Sequence, residues 1–104
     1  MQRVAFLMRI APGTEKEYER RHQRVWPEML AELKAAGAHN YSIFRSGLQL
    51  FAYLEVDDLD RYRASLAESA VAAKWEAQMS DILVREVDPA TNFPRLLPEI
   101  FHLD

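Results

Sequence analysis

The sequence predicts an α+β domain in which one four-stranded antiparallel sheet carries two helical regions on a single face. Three observations lead there. Residues 3–10 and 48–56 are short runs of β-forming residues with alternating apolar positions. Residues 14–36 and 59–84 bring apolar groups back at helical spacing, and Ser46-Gly47 joins two neighbouring strand-like runs as a tight hairpin. The resulting order, β-α-β-β-α-β, is the ferredoxin-like arrangement. At 104 residues the chain has the size of one domain, so residues 1–104 are expected to share a single fold.

In "RVAFLMRI" (3–10), Val4, Phe6, Met8 and Ile10 alternate with Ala5, Leu7 and Arg9, a first strand that "APG" ends. Thr14 precedes Glu17 by three, the spacing of a capping box, in which each side chain satisfies a backbone N–H at a helix start. Tyr18, His22, Val25, Trp26, Met29, Leu33 and Ala36 then predict one long helix over 14–36, with Gly37 as the left-handed residue beyond its end. Pro27 is expected to kink or divide that helix, because it removes an amide donor and crowds the carbonyl four residues back.

"HNYSIFR" (39–45) and "LQLFAYLEV" (48–56) are the second and third strands. The third places Phe51 and Tyr53 on one face and Leu50, Ala52, Leu54 and Val56 on the other, the pattern of a strand covered on both sides. With both helices on one face, the bare face is expected to meet its counterpart in a second copy, as a dimeric α/β-barrel with a pocket in each half. Asp57, Asp58 and Asp60 are capping candidates for a second helical region over 59–84, broken near Glu68-Ser69. Pro89, Pro94 and Pro98 predict a loop or extended arm, and "EIFHL" (99–103) a short last strand.

Composition narrows the function. Thirteen basic and sixteen acidic residues give a net charge of −3, without a basic surface to follow phosphates, so nucleic acid is not an expected partner. With no cysteine, disulfides and thiolate chemistry are excluded. "VAFLM" is too short for a secretion signal, and no apolar run approaches the ~20 residues needed to span a bilayer. A soluble, cytoplasmic protein is expected. His39 and His102 are isolated from any metal-ligand spacing, and three glycines cannot build a phosphate loop or dinucleotide fingerprint. The expectation is chemistry without metal, nucleotide or covalent nucleophile.

Tyr18 and His22, four apart on a helix, share a face. His22 is either a core histidine satisfied by a neighbour or a group that passes a proton near neutral pH. Trp75 is either core packing or a flat wall for a sugar ring. Tyr41 and Tyr53, on neighbouring strands, could offer hydroxyls into the same space. Arg20, Arg21 and Arg24 read as a solvated helix face paired with Glu17 and Glu28.

"EYERRHQRVWPEM" (17–29), with "LKAAGAHNYSIF" (33–44), resembles the L-rhamnose mutarotase family, whose signatures are Y-x-x-R-H-x-x-x-W-P-E and G-A-x-x-Y-S/A-I. "AFLM" (5–8), "KWEAQMSDI" (74–82) and "IFHL" (100–103) extend the resemblance over nearly the whole chain. It implies a dimeric ferredoxin-like fold and cofactor-free interconversion of the α and β anomers of L-rhamnose or a related 6-deoxyhexose. His22 would be the proton donor, with Tyr18, Tyr41 and Trp75 lining the sugar site. Two departures stand out. Trp75-Glu76 replaces the family's usual pair of tryptophans, and "VDPATNFPRLLP" (87–98) is only loosely related to its N-P-D-N-S-P stretch. Glu76 could bind a sugar hydroxyl, serve as partner base, or be a surface residue. The rival readings are a cofactor-free monooxygenase on the same dimeric scaffold and a non-catalytic module that binds a sugar or partner.

Overall fold

The structure, a computed structural model, describes residues 1–84 and 86–104. It has the element order β1 (Gln2–Ile10), α1 (Glu15–His22), α2 (Pro27–Ala35), β2 (Ala38–Ser46), β3 (Gln49–Val56), α3 (Leu59–Ala67), α4 (Ala70–Met79) and β4 (Leu83–Val84). The sheet runs β2-β3-β1-β4, every pair antiparallel. The expected β-α-β-β-α-β plan therefore holds, with each helical layer split in two.

Pro27 divides the first layer outright. It occupies the first position of α2, where a missing N–H costs nothing. Trp26 before it is extended (φ −54°, ψ 135°), the conformation that a following proline imposes. The capping box does not form. The Thr14 hydroxyl donates to the Ala11 carbonyl at 2.6 Å, and the Glu17 carboxylate is taken by Arg20 and Arg21, charge-assisted partners that outcompete a backbone amide. Gly37, at φ 96°, ends α2 as expected; a Cβ there would also lie 2.8 Å from an Arg61 Nη atom.

The second helical region ends at Met79, earlier than its alanine content predicts. Leu83–Val84 pairs instead with Arg9–Ile10 as the fourth strand, and the Ala11 N–H donates to the Ile82 carbonyl at 2.8 Å. Residues 99–103 form no strand. The edge of β1 that they would need is already occupied further along, where Leu96 bridges Phe6 and the Leu97 N–H donates to the Ala5 carbonyl at 2.7 Å. Arg3 and Glu99 pair bidentately at 2.8 and 3.0 Å, and beyond that anchor Ile100, Phe101 and Leu103 stand exposed. The hairpin turn is Gly47-Leu48, one residue later than expected, since Ser46 still pairs with Gln49 and Gly47 takes the positive φ.

Val4, Phe6, Ile10, Ala38, Leu50, Ala52, Leu54 and Val56 fill the helix side of the sheet. Two clusters form there, one with Tyr62 of α3 and one with Tyr18 of α1, Met79 and Ile82; Met8 and Ile43 pack against both. The opposite face is open, with Phe44 65% and Phe51 43% exposed. Among the described residues no helix is long and apolar enough to cross a membrane.

Candidate active site

His22 is the last residue of α1 and half-buried. Tyr18, one turn earlier, is sunk among Ile10, Leu50, Met79 and Ile82 and lies beneath the imidazole, ring centroids 4.2 Å apart and planes 25° from parallel. Trp75 of α4 meets the same ring edge-on at 5.5 Å, and Trp26 meets Trp75 at 5.2 Å and 90°. The Nδ1 atom of His22 lies 3.0 Å from the Tyr18 carbonyl. A carbonyl can only accept, so Nδ1 carries a hydrogen, and in the neutral ring the lone pair sits on Nε2. Burial lowers the His22 pKa and outweighs the opposing pull of that carbonyl, so the ring is neutral at pH 7 with Nε2 ready to take a proton.

Two solvent-open clefts adjoin this ring system. One, of about 510 Å³, is lined by Tyr18, Glu19, His22, Gln23, Ile43, Phe44 and Arg45. The other, of about 610 Å³, lies between α1 and α4 beside Arg20, Arg21, Arg24, Trp26, Trp75 and Gln78, and shares Gln23 with the first. Both volumes are within the roughly 300–1,000 Å³ of small-molecule sites.

Ion pairs hold the surrounding elements. Arg21 donates to Glu17 at 2.6 Å, to the Gln78 carbonyl at 2.6 Å and to both Asp81 oxygens at 2.9 and 3.1 Å, tying α1 to the end of α4 and hence His22 to Trp75. Arg20 and then Arg21 hold the Glu17 carboxyl down at about 2. Arg45 binds Glu19 at 2.7 and 3.0 Å and the Gly47 carbonyl at 2.9 Å, fastening the β2–β3 hairpin to α1 across the mouth of the smaller cleft.

The structure brings Tyr18, His22 and Trp75 together. Tyr41 lies apart from them, partly buried on the helix side of β2 against the Tyr62 cluster, where burial of its phenol pushes the pKa up to about 12. Tyr53 does not join it. An irregularity between His39 and Ser42, with Asn40 left-handed at φ 49°, pairs Ser42 with Tyr53 and so sends Tyr41 to the other face. Tyr53 instead donates to Glu55 at 2.9 Å on the open side. Glu76 is exposed on α4 and lines neither cleft. Trp26, Glu19 and Arg45 are site residues that the sequence reading missed. The Trp26-Pro27 dipeptide held a signal for the first: a pre-proline residue leaves the helix, and its side chain leaves the helical stripe with it.

Residues 3–103 match the family model described as L-rhamnose mutarotase. The L-rhamnose mutarotase of Oceanobacillus iheyensis is 41% identical over the whole of both chains, and that of Ligilactobacillus salivarius 44% identical over 98% of this chain and 97% of its own. The crystal structure of L-rhamnose mutarotase from Formosa agariphila superimposes over the full length of both chains, with a TM-score of 0.81 at 33% identity. Sequence and backbone thus agree over the length of the chain: the chain belongs to the L-rhamnose mutarotase family.

Proposed function

We propose that the chain is a mutarotase that interconverts the α and β anomers of L-rhamnose, and that His22 moves the proton. One observation carries the reading: an imidazole tethered through Nδ1 to the Tyr18 carbonyl, with Nε2 unbonded among the described residues, sits between two aromatic rings beside a cleft of sugar size. Ring opening needs the anomeric O–H proton removed, the bond from C1 to the ring oxygen broken and that oxygen protonated. Rotation of the aldehyde about its bond to C2 and reversal of the proton transfers then close either anomer. Nε2 can take the anomeric proton and hand it to the ring oxygen as the C–O bond breaks, returning to the neutral form that burial favours. Tyr18, Tyr41 and Trp75 would line the sugar site, the phenols as donors because burial keeps them protonated. Glu76, exposed as it is, would act at most at the rim.

The proposal includes a homodimer in the cytoplasm. Phe44 and Phe51 on the open sheet face, with Ile100, Phe101 and Leu103 of the arm, leave more apolar surface in water than so small a chain would keep exposed alone. Sedimentation should return a mass of two chains.

Exchange NMR on L-rhamnose tests the activity. Accelerated anomer interconversion is expected, and no acceleration for L-rhamnose or any other 6-deoxyhexose would overturn it.

A further inference from the structure

Glu19 is the one carboxylate among the described residues lining either cleft. It stands three residues before His22 on α1, so the two side chains are neighbours on one helix face, and both line the smaller cleft. Arg45 holds the carboxylate from the opposite wall. Its Nε and Nη2 atoms both donate to Oε1 of Glu19, at 3.0 and 2.7 Å, and its Nη1 donates to the Gly47 carbonyl at 2.9 Å. Glu19 is thereby fixed to the β2–β3 hairpin through one oxygen. Its Oε2 forms no hydrogen bond among the described residues.

As a staple the pair does little, because the Glu19 side chain is 53% exposed and its charge is screened by water and salt. As a ligand group it is well placed. An ionised carboxylate only accepts, through about four lone-pair positions, and Arg45 occupies those of Oε1 alone. What remains is a charged acceptor held in one position on the wall that also carries the imidazole. Sugar hydroxyls are the donors that such an oxygen binds best.

We propose that Glu19 is a specificity-determining residue of the sugar site, accepting a hydrogen bond from the C2 hydroxyl while His22 acts at the anomeric carbon, and that Arg45 is the positioning residue that holds the carboxylate. The assignment rests on the mutarotase reading above. The choice of hydroxyl follows from the chemistry around C1. One neighbour of C1 is the ring oxygen, which has no hydrogen to give, and beyond it C5 of a 6-deoxyhexose carries a methyl group. The other neighbour is C2, whose hydroxyl is the donor nearest the anomeric one. Glu19 touches substrate but moves no proton of the reaction.

The test is exchange NMR at varied sugar concentration on Glu19→Ala, Glu19→Gln and Arg45→Ala, with L-rhamnose and its 2-deoxy analogue, beside a thermal melt of each. Loss of the charged acceptor should raise KM for L-rhamnose about 10-fold in Glu19→Ala and leave kcat within twofold. Glu19→Gln keeps an acceptor oxygen without the charge, so its KM should rise only about 3-fold. For the 2-deoxy analogue the wild-type protein and Glu19→Ala should have the same KM. The pH dependence of kcat should stay where it is in both Glu19 variants, since burial and the Tyr18 carbonyl set the protonation of His22. Arg45→Ala breaks the same ion pair but keeps the carboxylate, so its melt should match that of Glu19→Ala while its KM rises less. An unchanged KM for L-rhamnose in Glu19→Ala, a KM rise of equal size for both sugars, or a displaced pH profile overturns the assignment alone. A wild-type protein without acceleration would overturn both this assignment and the mutarotase reading.

Discussion

Each helical layer is broken once, and the two breaks are built differently. At Glu68-Ser69 the break is closed by polar partners: the Ser69 hydroxyl accepts from the Ala72 N–H at 3.0 Å, and the N–H groups of Glu68 and Ser69 donate to Ala64 and Leu66. At Gln23–Trp26 no side chain caps the helix that follows, and Pro27 removes a donor instead of satisfying one. His22 and Trp26 stand at its two edges, held by contacts with Trp75. A break closed by a cap keeps nothing for a ligand; a break closed by ring contacts leaves ring nitrogens and ring faces available beside open space.

The sharpest test of that contrast is His22→Ala. If the imidazole transfers the proton, anomer exchange should fall by ~10²–10⁴-fold while the fold persists; an undiminished rate by exchange NMR would remove the chemical meaning of the first break. The same variant has a pH signature. Burial lowers the His22 pKa in the folded protein, so as pH falls below the unfolded value of about 6.5 the unfolded chain binds the proton first. The contribution of the neutral ring to stability is whole above that value and is lost as pH falls through the window beneath it. Denaturant midpoints measured from pH 7.5 down to 5 should fall less steeply for His22→Ala than for the wild type.

Next in size is Arg21→Ala. The Arg21 side chain is only 18% exposed and is the tie between α1 and the end of α4. Removing it leaves the Gln78 carbonyl and Asp81 without their partner and loosens the end of α4 from α1. Trp75 would drift from His22 as well, so a rate loss of roughly tenfold should accompany the lower melting temperature. Ser69→Ala should cost about 1 kcal/mol, a fall of about 4–8 °C in Tm for a domain of this size, with no change in rate. A rate loss at Ser69 equal to that at Arg21 would erase the distinction between the breaks.

The same contrast explains what the sequence could and could not disclose. Ser69 and Pro27 act through local chemistry, so both breaks were legible, as were β1, β2, β3 and the helical position of His22. The capping box failed because Glu17 had better partners within one turn of the same helix, a competition that spacing alone does not rank. The fourth strand was misplaced because Leu83–Val84 and Leu96–Leu97 compete with residues 99–103 for the same edge of β1, and occupancy of an edge is a tertiary fact. Tyr41 and Tyr53 were expected to offer hydroxyls into the same space, but the irregularity at the left-handed Asn40 puts them on opposite faces, and no local pattern announces it. The Trp26–Trp75 contact joins residues far apart in the chain, beyond the reach of any local pattern.

The smallest expected effect separates two neighbours that the sequence presents as equivalent. Arg20 and Arg21 share the Glu17 carboxylate, yet the Arg20 side chain is 70% exposed and bonds only to Glu17 among the described residues. Its pair with Glu17 is an (i, i+3) contact in water, where Coulomb energy is screened and two long side chains must be held still. When Arg20 is removed, Glu17 keeps Arg21, and neither His22 nor Trp75 loses a neighbour. Arg20→Ala should therefore barely move the melting temperature, by a shift that shrinks at high salt, and should leave anomer exchange at the wild-type rate. A melt and an exchange spectrum at low and high salt decide it. A rate loss comparable to that of Arg21→Ala would mean that the cationic cleft itself takes part in sugar binding, and that the first break acts through its charges as well as its rings.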